Sequence, residues 1–116
     1  MKKYLVIGKP VDHSLSPQLH NYWIKINKIN AIYDKKDIDD AELKDLIIDI
    51  KDRKINGVNV TVPYKKKIIS DLDELSEEAK ITESVNTIFM EEDKLIGHNT
   101  DIKGFELSVR DTNFDI

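Results

Sequence analysis

The spacing of apolar and polar residues along the chain predicts strands that alternate with helices. Residues 4–7 form a continuous apolar run closed by glycine and proline, which is typical of a buried parallel strand. Ser16 and Pro17 mark a helix start with the serine as N-cap, and apolar residues recur at helical spacing over residues 19–26. Residues 31–34 are predicted to form a second, short strand.

The middle of the chain repeats this alternation. Asp39 or Asp40 is predicted to cap a second helix, whose apolar stripe spans residues 43–50. Residues 57–62 alternate valine with asparagine and threonine, so the predicted strand has one apolar and one polar face. Pro63 ends this strand and can open a short helix.

The last third of the chain predicts a polar helix over residues 71–80 and then a hairpin. The hairpin strands are residues 85–90 and 94–97, separated by an acidic turn. A final helix is predicted to open at residues 99–101. The alternation with one late hairpin indicates a three-layer α/β/α sandwich around a mostly parallel mixed sheet that includes one antiparallel strand.

Composition narrows the class of protein. A chain of 116 residues with 40% hydrophobic content and a net charge of −4 fits one globular domain and argues against a nucleic-acid or membrane-surface binder. There is no cysteine, and the three histidines are too scattered to indicate a metal site. The apolar run at residues 4–7 is far too short for a signal peptide or membrane span, so a cytoplasmic protein is expected.

Candidate chemistry gathers where strands end and helices begin. Ligands of open α/β sheets bind beyond the carboxyl ends of the strands. The polar residues predicted there are Ser14, Ser16, Asn59, Thr61, Lys65, Asn86, Asn99, Thr100 and Asp101. Short uncharged hydrogen-bonding groups with one cation and one carboxylate suit a small, hydroxylated anion, and the helix start at Pro17 favours an anionic group. Taken singly, the same residues also fit helix caps and a solvated lysine run.

Four segments resemble the signatures of shikimate dehydrogenases, in that family's order. They are GKPVDHSLSPQLHN at residues 8–21, NVTVPYK at 59–65, VNT at 85–87 and GHNTDIKGF at 97–105. The resemblance implies that residues 1–116 are the family's N-terminal, substrate-binding domain. The family reduces 3-dehydroshikimate to shikimate with NADPH, on the route to chorismate and the aromatic amino acids.

The resemblance also implies roles for individual residues. The implied substrate-binding residues are Ser14, Ser16, Asn59, Thr61, Lys65, Asn86 and Asp101. Ser14 and Ser16 would hold the substrate carboxylate, and Lys65 and Asp101 would form the catalytic pair. The ring hydroxyls would be held by Asn59, Thr61, Asn86 and Asp101.

Two departures from the family pattern stand out. Glu83 and Ser84 precede the VNT motif at positions where the family usually has small residues. The turn just before the motif is therefore expected to differ in shape from that of the family. The four glycines are too far apart to form the glycine-rich loop of a nucleotide-binding domain. The C-terminal Rossmann domain that binds NADP is therefore expected to be absent from this chain, and the chain alone is expected to be inactive.

Other functions compete with this interpretation. A quinate/shikimate dehydrogenase half is a close variant, although Ser14 and Ser16 together favour shikimate. A naturally truncated, non-catalytic ligand-binding module is a second alternative. Nucleic-acid binding through the lysines at residues 65–67 is disfavoured by the acidic net charge and the absence of interleaved aromatic residues. Exposed edges of the first and second strands could support a homodimer.

Overall fold

The computed structural model describes residues 1–101 of the chain, so the predicted final helix lies outside the described residues after Asp101. The elements in chain order are β1 (Lys2–Gly8), α1 (Ser16–Ile26), β2 (Ala31–Asp37), α2 (Asp40–Lys51), β3 (Gly57–Val60), α3 (Tyr64–Lys67), a 3-10 turn (Ile68–Asp71), β4 (Glu74–Leu75), α4 (Glu77–Thr82), β5 (Thr87–Glu91) and β6 (Lys94–His98). None of the helices in this part of the chain has the length and apolarity needed to cross a lipid bilayer.

The six strands of residues 1–101 form one sheet in the order β2-β1-β3-β5-β6-β4. β1 pairs in parallel with β2 and β3, and β6 pairs in parallel with β4. β5 runs antiparallel to both of its neighbours, β3 and β6. This topology confirms the predicted mostly parallel mixed sheet with one antiparallel strand. The expectation of a free first-strand edge is wrong, because the crossover through α2 returns the chain to the far side of β1; β2 and β4 are the edge strands of the described sheet.

The hydrophobic core lies between α2 and one face of the sheet. The predicted α2 stripe is buried throughout, at Leu43, Leu46, Ile47 and Ile50. It belongs to the same cluster as the inward residues of β1, β3 and β5, and burying each such side chain contributes about 1.5–3 kcal/mol. Asp39 begins the helix with a capping box, since its carboxylate accepts the Glu42 N–H while the Glu42 side chain accepts the Asp39 N–H.

The opposite face of the sheet carries α1 and is covered only in part by the described residues. The predicted apolar stripe of α1 remains at least 48% exposed, at Leu19, Tyr22, Trp23 and Ile26. A cavity of about 340 Å³ lies between α1 and the sheet, lined in part by Tyr4, Ile24 and Phe89. The helical spacing therefore predicts α1 correctly, although within residues 1–101 its stripe is not part of the buried core.

The predicted helix over residues 71–80 is wrong in its first half. The chain instead forms β4, which pairs in parallel with β6, and α4 begins only after Ser76, whose hydroxyl accepts the Ala79 N–H at 3.3 Å. Gly97 explains the difference, because a Cβ there would lie 2.4 Å from Leu72 and 3.1 Å from Leu75. These two leucines pack over the backbone of β6. Their spacing suggests one face of a helix, but both are used for this contact instead.

Candidate functional site

The loop between β1 and α1 carries the two serines. Its backbone is anchored by the Val11 N–H, which donates to a carboxylate oxygen of Asp37 at 2.7 Å. The Ser16 N–H donates to Ser14 Oγ at 3.2 Å, and Leu15 is the N-cap of α1. The prediction of Ser16 as N-cap is therefore wrong, because Ser14 already accepts the Ser16 N–H and places Ser16 inside the first turn. The Ser14 hydroxyl keeps its proton available for an incoming anion.

Ser14, Ser16 and Thr61 line one cavity of about 290 Å³. Thr61 follows β3, and its N–H donates to the Ile7 carbonyl at 2.9 Å, which holds it at the carboxyl end of β1. Gly8 permits this close approach, because a Cβ at Gly8 would lie only 2.5 Å from Thr61 Cγ2. Three hydroxyl-bearing residues thus line one cavity at the end of the sheet where the site was predicted.

A second group of predicted residues is joined by direct hydrogen bonds. Lys65 Nζ lies 3.0 Å from Asp101 Oδ2, and Asn86 Nδ2 donates to Asp101 Oδ1 at 3.0 Å. The two carboxylate oxygens therefore have different donors. The Lys65 and Asp101 side chains remain 33% and 58% exposed, so a ligand can reach both.

Asn86 supports this pair from inside the fold and is only 9% exposed. Its carbonyl accepts the Val60 N–H at 2.8 Å, and its own N–H donates to the His98 carbonyl at 3.0 Å. Its side-chain oxygen accepts from the Thr100 N–H and from the Thr87 hydroxyl. The position of Asn86 is therefore fixed by both β3 and β6.

Asn99 holds Asp101 in place, a role that the sequence does not reveal. Asn99 is 2% exposed, and its side-chain oxygen accepts the Asp101 N–H at 2.7 Å. Its amide donates to Thr82 Oγ1 and to the Ser84 carbonyl. The turn around Glu83 and Ser84, where the chain departs from the family pattern, forms with Glu83 in the left-handed region at φ 51°.

Tyr33 and Thr87 complete the polar cluster, and sequence reasoning missed both. The Tyr33 hydroxyl donates to Asn59 Oδ1 at 2.6 Å, and Asn59 Nδ2 donates to Thr87 Oγ1 at 3.2 Å. Burial raises the pKa of Tyr33 to about 12, although a side-chain hydrogen bond with Ser16 opposes this shift. Tyr33 therefore stays a neutral phenol across the physiological range. Membership of Thr87 in the VNT segment was the one available signal.

The seven residues predicted to bind substrate thus form two groups of three, with Asn59 separate from both. Ser14, Ser16 and Thr61 surround the hydroxyl-lined cavity, whereas Lys65, Asn86 and Asp101 form the hydrogen-bonded cluster. Asn59 contacts Tyr33 and Thr87 and borders the apolar cavity beside α1. Together these groups offer hydroxyl donors for an anion and an ammonium–carboxylate pair for proton transfer.

Comparison with known proteins points to one family. Residues 6–88 match the family model of the shikimate dehydrogenase substrate binding domain. The chain is similar to the shikimate dehydrogenase (NADP(+)) of Pelagibacter ubique, with 58% identity over 115 residues. The alignment covers 99% of this chain and 43% of the relative, so the chain spans less than half the length of that relative.

Two solved structures share the fold. Shikimate dehydrogenase 1 from Peptoclostridium difficile superposes with a TM-score of 0.90 at 39% identity, over 100% of this chain and 43% of that one. Shikimate 5-dehydrogenase from Listeria monocytogenes, solved with shikimate and NAD, superposes with a TM-score of 0.92 at 32% identity, over 100% of this chain and 40% of that one. These similarities agree with the mixed α/β sheet described above.

Proposed function

This chain belongs to the shikimate dehydrogenase family, whose substrate-binding domain its residues 6–88 match, and from this membership we propose that it is the substrate-binding and catalytic-residue half of a shikimate dehydrogenase. The proposed reaction is the reversible reduction of 3-dehydroshikimate to shikimate with NADPH, on the route to chorismate and the aromatic amino acids. The observation that carries the proposal is the Lys65–Asp101 pair, with Nζ and Oδ2 3.0 Å apart and Asn86 bonded to the second carboxylate oxygen.

Substrate binding begins with the carboxylate in this proposal. Ser14 and Ser16 donate to it, since both residues line the same cavity and each hydroxyl carries one proton that an anion can accept. Thr61 borders the same cavity and binds a ring hydroxyl. Asn86 and Asp101 bind further ring hydroxyls, because their side chains present amide and carboxylate groups close to Lys65.

Proton transfer is assigned to Lys65. As hydride reaches the carbonyl carbon, negative charge grows on its oxygen, and the Lys65 ammonium stabilises that charge and donates a proton. In the direction of shikimate oxidation, the neutral amine of Lys65 accepts the hydroxyl proton. Asp101 orients the lysine nitrogen through the 3.0 Å contact and binds a substrate hydroxyl.

The nicotinamide cofactor supplies the hydride, but the described residues do not fit a nucleotide. The β1–α1 connection contains no glycine, and no two glycines in residues 1–101 lie close enough in the chain to form a loop that a pyrophosphate could approach. We therefore assign NADP binding to a C-terminal Rossmann domain outside this chain, and this assignment stays a prediction. The homodimer and the cytoplasmic location stay predictions.

Titration of the 116-residue chain with shikimate tests binding. We expect weak, saturable NMR shifts at Ser14, Thr61 and Lys65, and weaker binding of quinate. Absence of any shift at millimolar shikimate would contradict the proposal, and tighter binding of quinate would favour the quinate alternative.

Catalysis is tested in the longer two-domain protein proposed to contain this chain. Lys65→Ala should abolish most turnover while shikimate binding changes little, because proton transfer is lost but the hydroxyl contacts remain. Lys66→Ala is the matched control, since Lys66 is the exposed neighbour and should retain full activity. Equal activity of the two variants would refute the role of Lys65. Saturable shikimate binding without any NADP-dependent turnover in the unsubstituted protein would favour the non-catalytic module.

A further inference from the structure

We propose that Tyr33 is a positioning residue, whose hydroxyl sets the direction of a chain of hydrogen bonds running through Asn59, Thr87 and Asn86 to Asp101. In this view Asn59 belongs to the supporting chain and does not contact the substrate. The proposal rests on the proposed function for its kinetic consequence, whereas its structural consequence can be measured without any ligand.

Tyr33 is held rigidly at the start of this chain. It lies on the edge strand β2 and is only 5% exposed. The side chain of Asn21 accepts the Tyr33 N–H at 2.9 Å and donates to the Tyr33 carbonyl at 2.7 Å, which satisfies the backbone groups of this one residue on the edge strand. The ring of His20 stacks on the phenol with centroids 4.2 Å apart and planes 8° from parallel. The hydroxyl is therefore presented in one place.

The direction of each bond follows from the number of protons available. The Tyr33 hydroxyl has one proton and gives it to Asn59 Oδ1 at 2.6 Å, so the Asn59 amide nitrogen must face the other way. That nitrogen donates to Thr87 Oγ1 at 3.2 Å and to the Asn86 carbonyl at 3.3 Å. Both polar atoms of the Asn59 side chain are therefore already engaged inside the fold.

The orientation of the Thr87 hydroxyl determines the orientation of the Asn86 side chain. Asn59 and Thr87 lie opposite each other on β3 and β5, so their side chains share one face of the sheet. Because Thr87 Oγ1 accepts from Asn59, its single proton goes to Asn86 Oδ1 at 2.9 Å. The Asn86 amide nitrogen is then turned towards Asp101 Oδ1 at 3.0 Å, and Oδ2 remains for Lys65.

Removing the Tyr33 hydroxyl should allow the hydrogen bonds of Asn59, Thr87 and Asn86 to change direction. Without the Tyr33 hydroxyl, the Asn59 amide can rotate by half a turn and present its oxygen to Thr87. The Thr87 proton can then go to Asn59, and Asn86 Oδ1 keeps only the Thr100 N–H as donor. Asn86 keeps its two bonds to Thr100 but loses the Thr87 donor, so its amide should become less ordered and its bond to Asp101 should weaken.

The structural test uses NMR on the unliganded 116-residue chain. Tyr33→Phe keeps the ring and its stacking, and it should shift the side-chain NH₂ signals of both Asn59 and Asn86. Tyr22→Phe is the matched control, because Tyr22 is 60% exposed on α1 and should leave both signals unchanged. A shift at Asn59 with none at Asn86 would overturn the proposal, and so would no shift at either residue.

The kinetic test uses the two-domain protein. Tyr33→Phe should lower kcat about fivefold with little change in KM, a loss equivalent to one neutral hydrogen bond. Thr87→Val should have a similar effect, Thr87→Ser should restore activity, and the double variant Tyr33→Phe/Thr87→Val should lose no more than either single variant. Additive losses, or a rise in KM alone, would refute a shared chain. If the unsubstituted protein does not turn over shikimate, the proposed function fails, and the NMR result still decides the role of Tyr33.

Discussion

Replacing Gly8 with alanine tests whether the hydroxyl-lined cavity depends on the contact between β1 and Thr61. Gly8 ends β1 directly beneath Thr61 and is buried. An added Cβ would lie 2.5 Å from Thr61 Cγ2, 2.8 Å from the Val62 carbonyl oxygen and 3.0 Å from Val11 Cγ1. All three neighbours belong to segments that enclose the proposed carboxylate site or adjoin it.

The size of the effect follows from the overlap. Carbon atoms in contact prefer a separation of about 3.5–4.0 Å, so Thr61 must move by about 1 Å. The backbone oxygen of Val62 limits movement in the other direction, because a carbonyl cannot rotate away like a side chain. Overpacking of this kind costs about 1–3 kcal/mol of folding stability. The displacement of Thr61 should also weaken shikimate binding.

Urea denaturation and shikimate titration of the same samples measure both consequences. Lys9→Ala is the matched control, because Lys9 is the exposed residue next to Gly8 and its side chain does not border the cavity. We expect Gly8→Ala to lose stability and affinity and Lys9→Ala to lose neither. Wild-type stability in Gly8→Ala would show that the close approach is not tight. Lost stability with unchanged affinity would show that Thr61 does not contribute to binding.

Two further outcomes concern stability. Glu83→Gly should stabilise the fold by about 1 kcal/mol, since glycine adopts the left-handed conformation at φ 51° without the steric cost of a Cβ; a chemical denaturation curve that does not move would contradict this. Wild-type stability should fall relative to Tyr33→Phe as the pH rises from 10.0 towards 12, because the unfolded phenol ionises first while the folded one keeps its proton. Parallel pH profiles for the two proteins would refute the raised pKa.

The sequence predicts a helix or strand well where a capping or turn residue and the spacing of the apolar residues point to the same element. α2 is the clearest case, since the sequence predicts a cap at Asp39 or Asp40 together with the apolar stripe, and the structure has the cap at Asp39 and buries the stripe. α1 shows the limit of such reasoning: spacing predicts the helix, but it does not tell which surface covers the stripe. Residues 71–80 show a second limit, because the contacts of Leu72 and Leu75 with Gly97 join positions more than 20 apart in the chain.

The family motifs predict the residues of the candidate site, whereas residue type and position at the strand ends predict them only in part. Lys65, Asn86 and Asp101 do meet in hydrogen-bonded contact, whereas the substrate contacts of the seven residues stay predictions. Tyr33 could not have been found, because a tyrosine in an edge strand looks like an ordinary core residue until its hydroxyl partner is known. The sequence places Asn99 among the polar residues at the strand ends, but its burial and its bond to the Asp101 N–H depend on the turn after α4.

The hydrogen-bond pattern of the site explains how a mostly uncharged cluster can hold a reactive pair. In the described residues, no buried side-chain nitrogen or oxygen lacks a hydrogen-bond partner, and a fully satisfied polar network gives each member one orientation. The network is buried at Tyr33 and Asn86 and opens to solvent at Asp101, which is 58% exposed. The exposed carboxylate is thus oriented by Asn86, and Asn86 is in turn held by Thr87 and Thr100. The hydrogen bonds that fix the Asn86 side-chain oxygen therefore lie behind the surface that a ligand at Lys65 and Asp101 would contact.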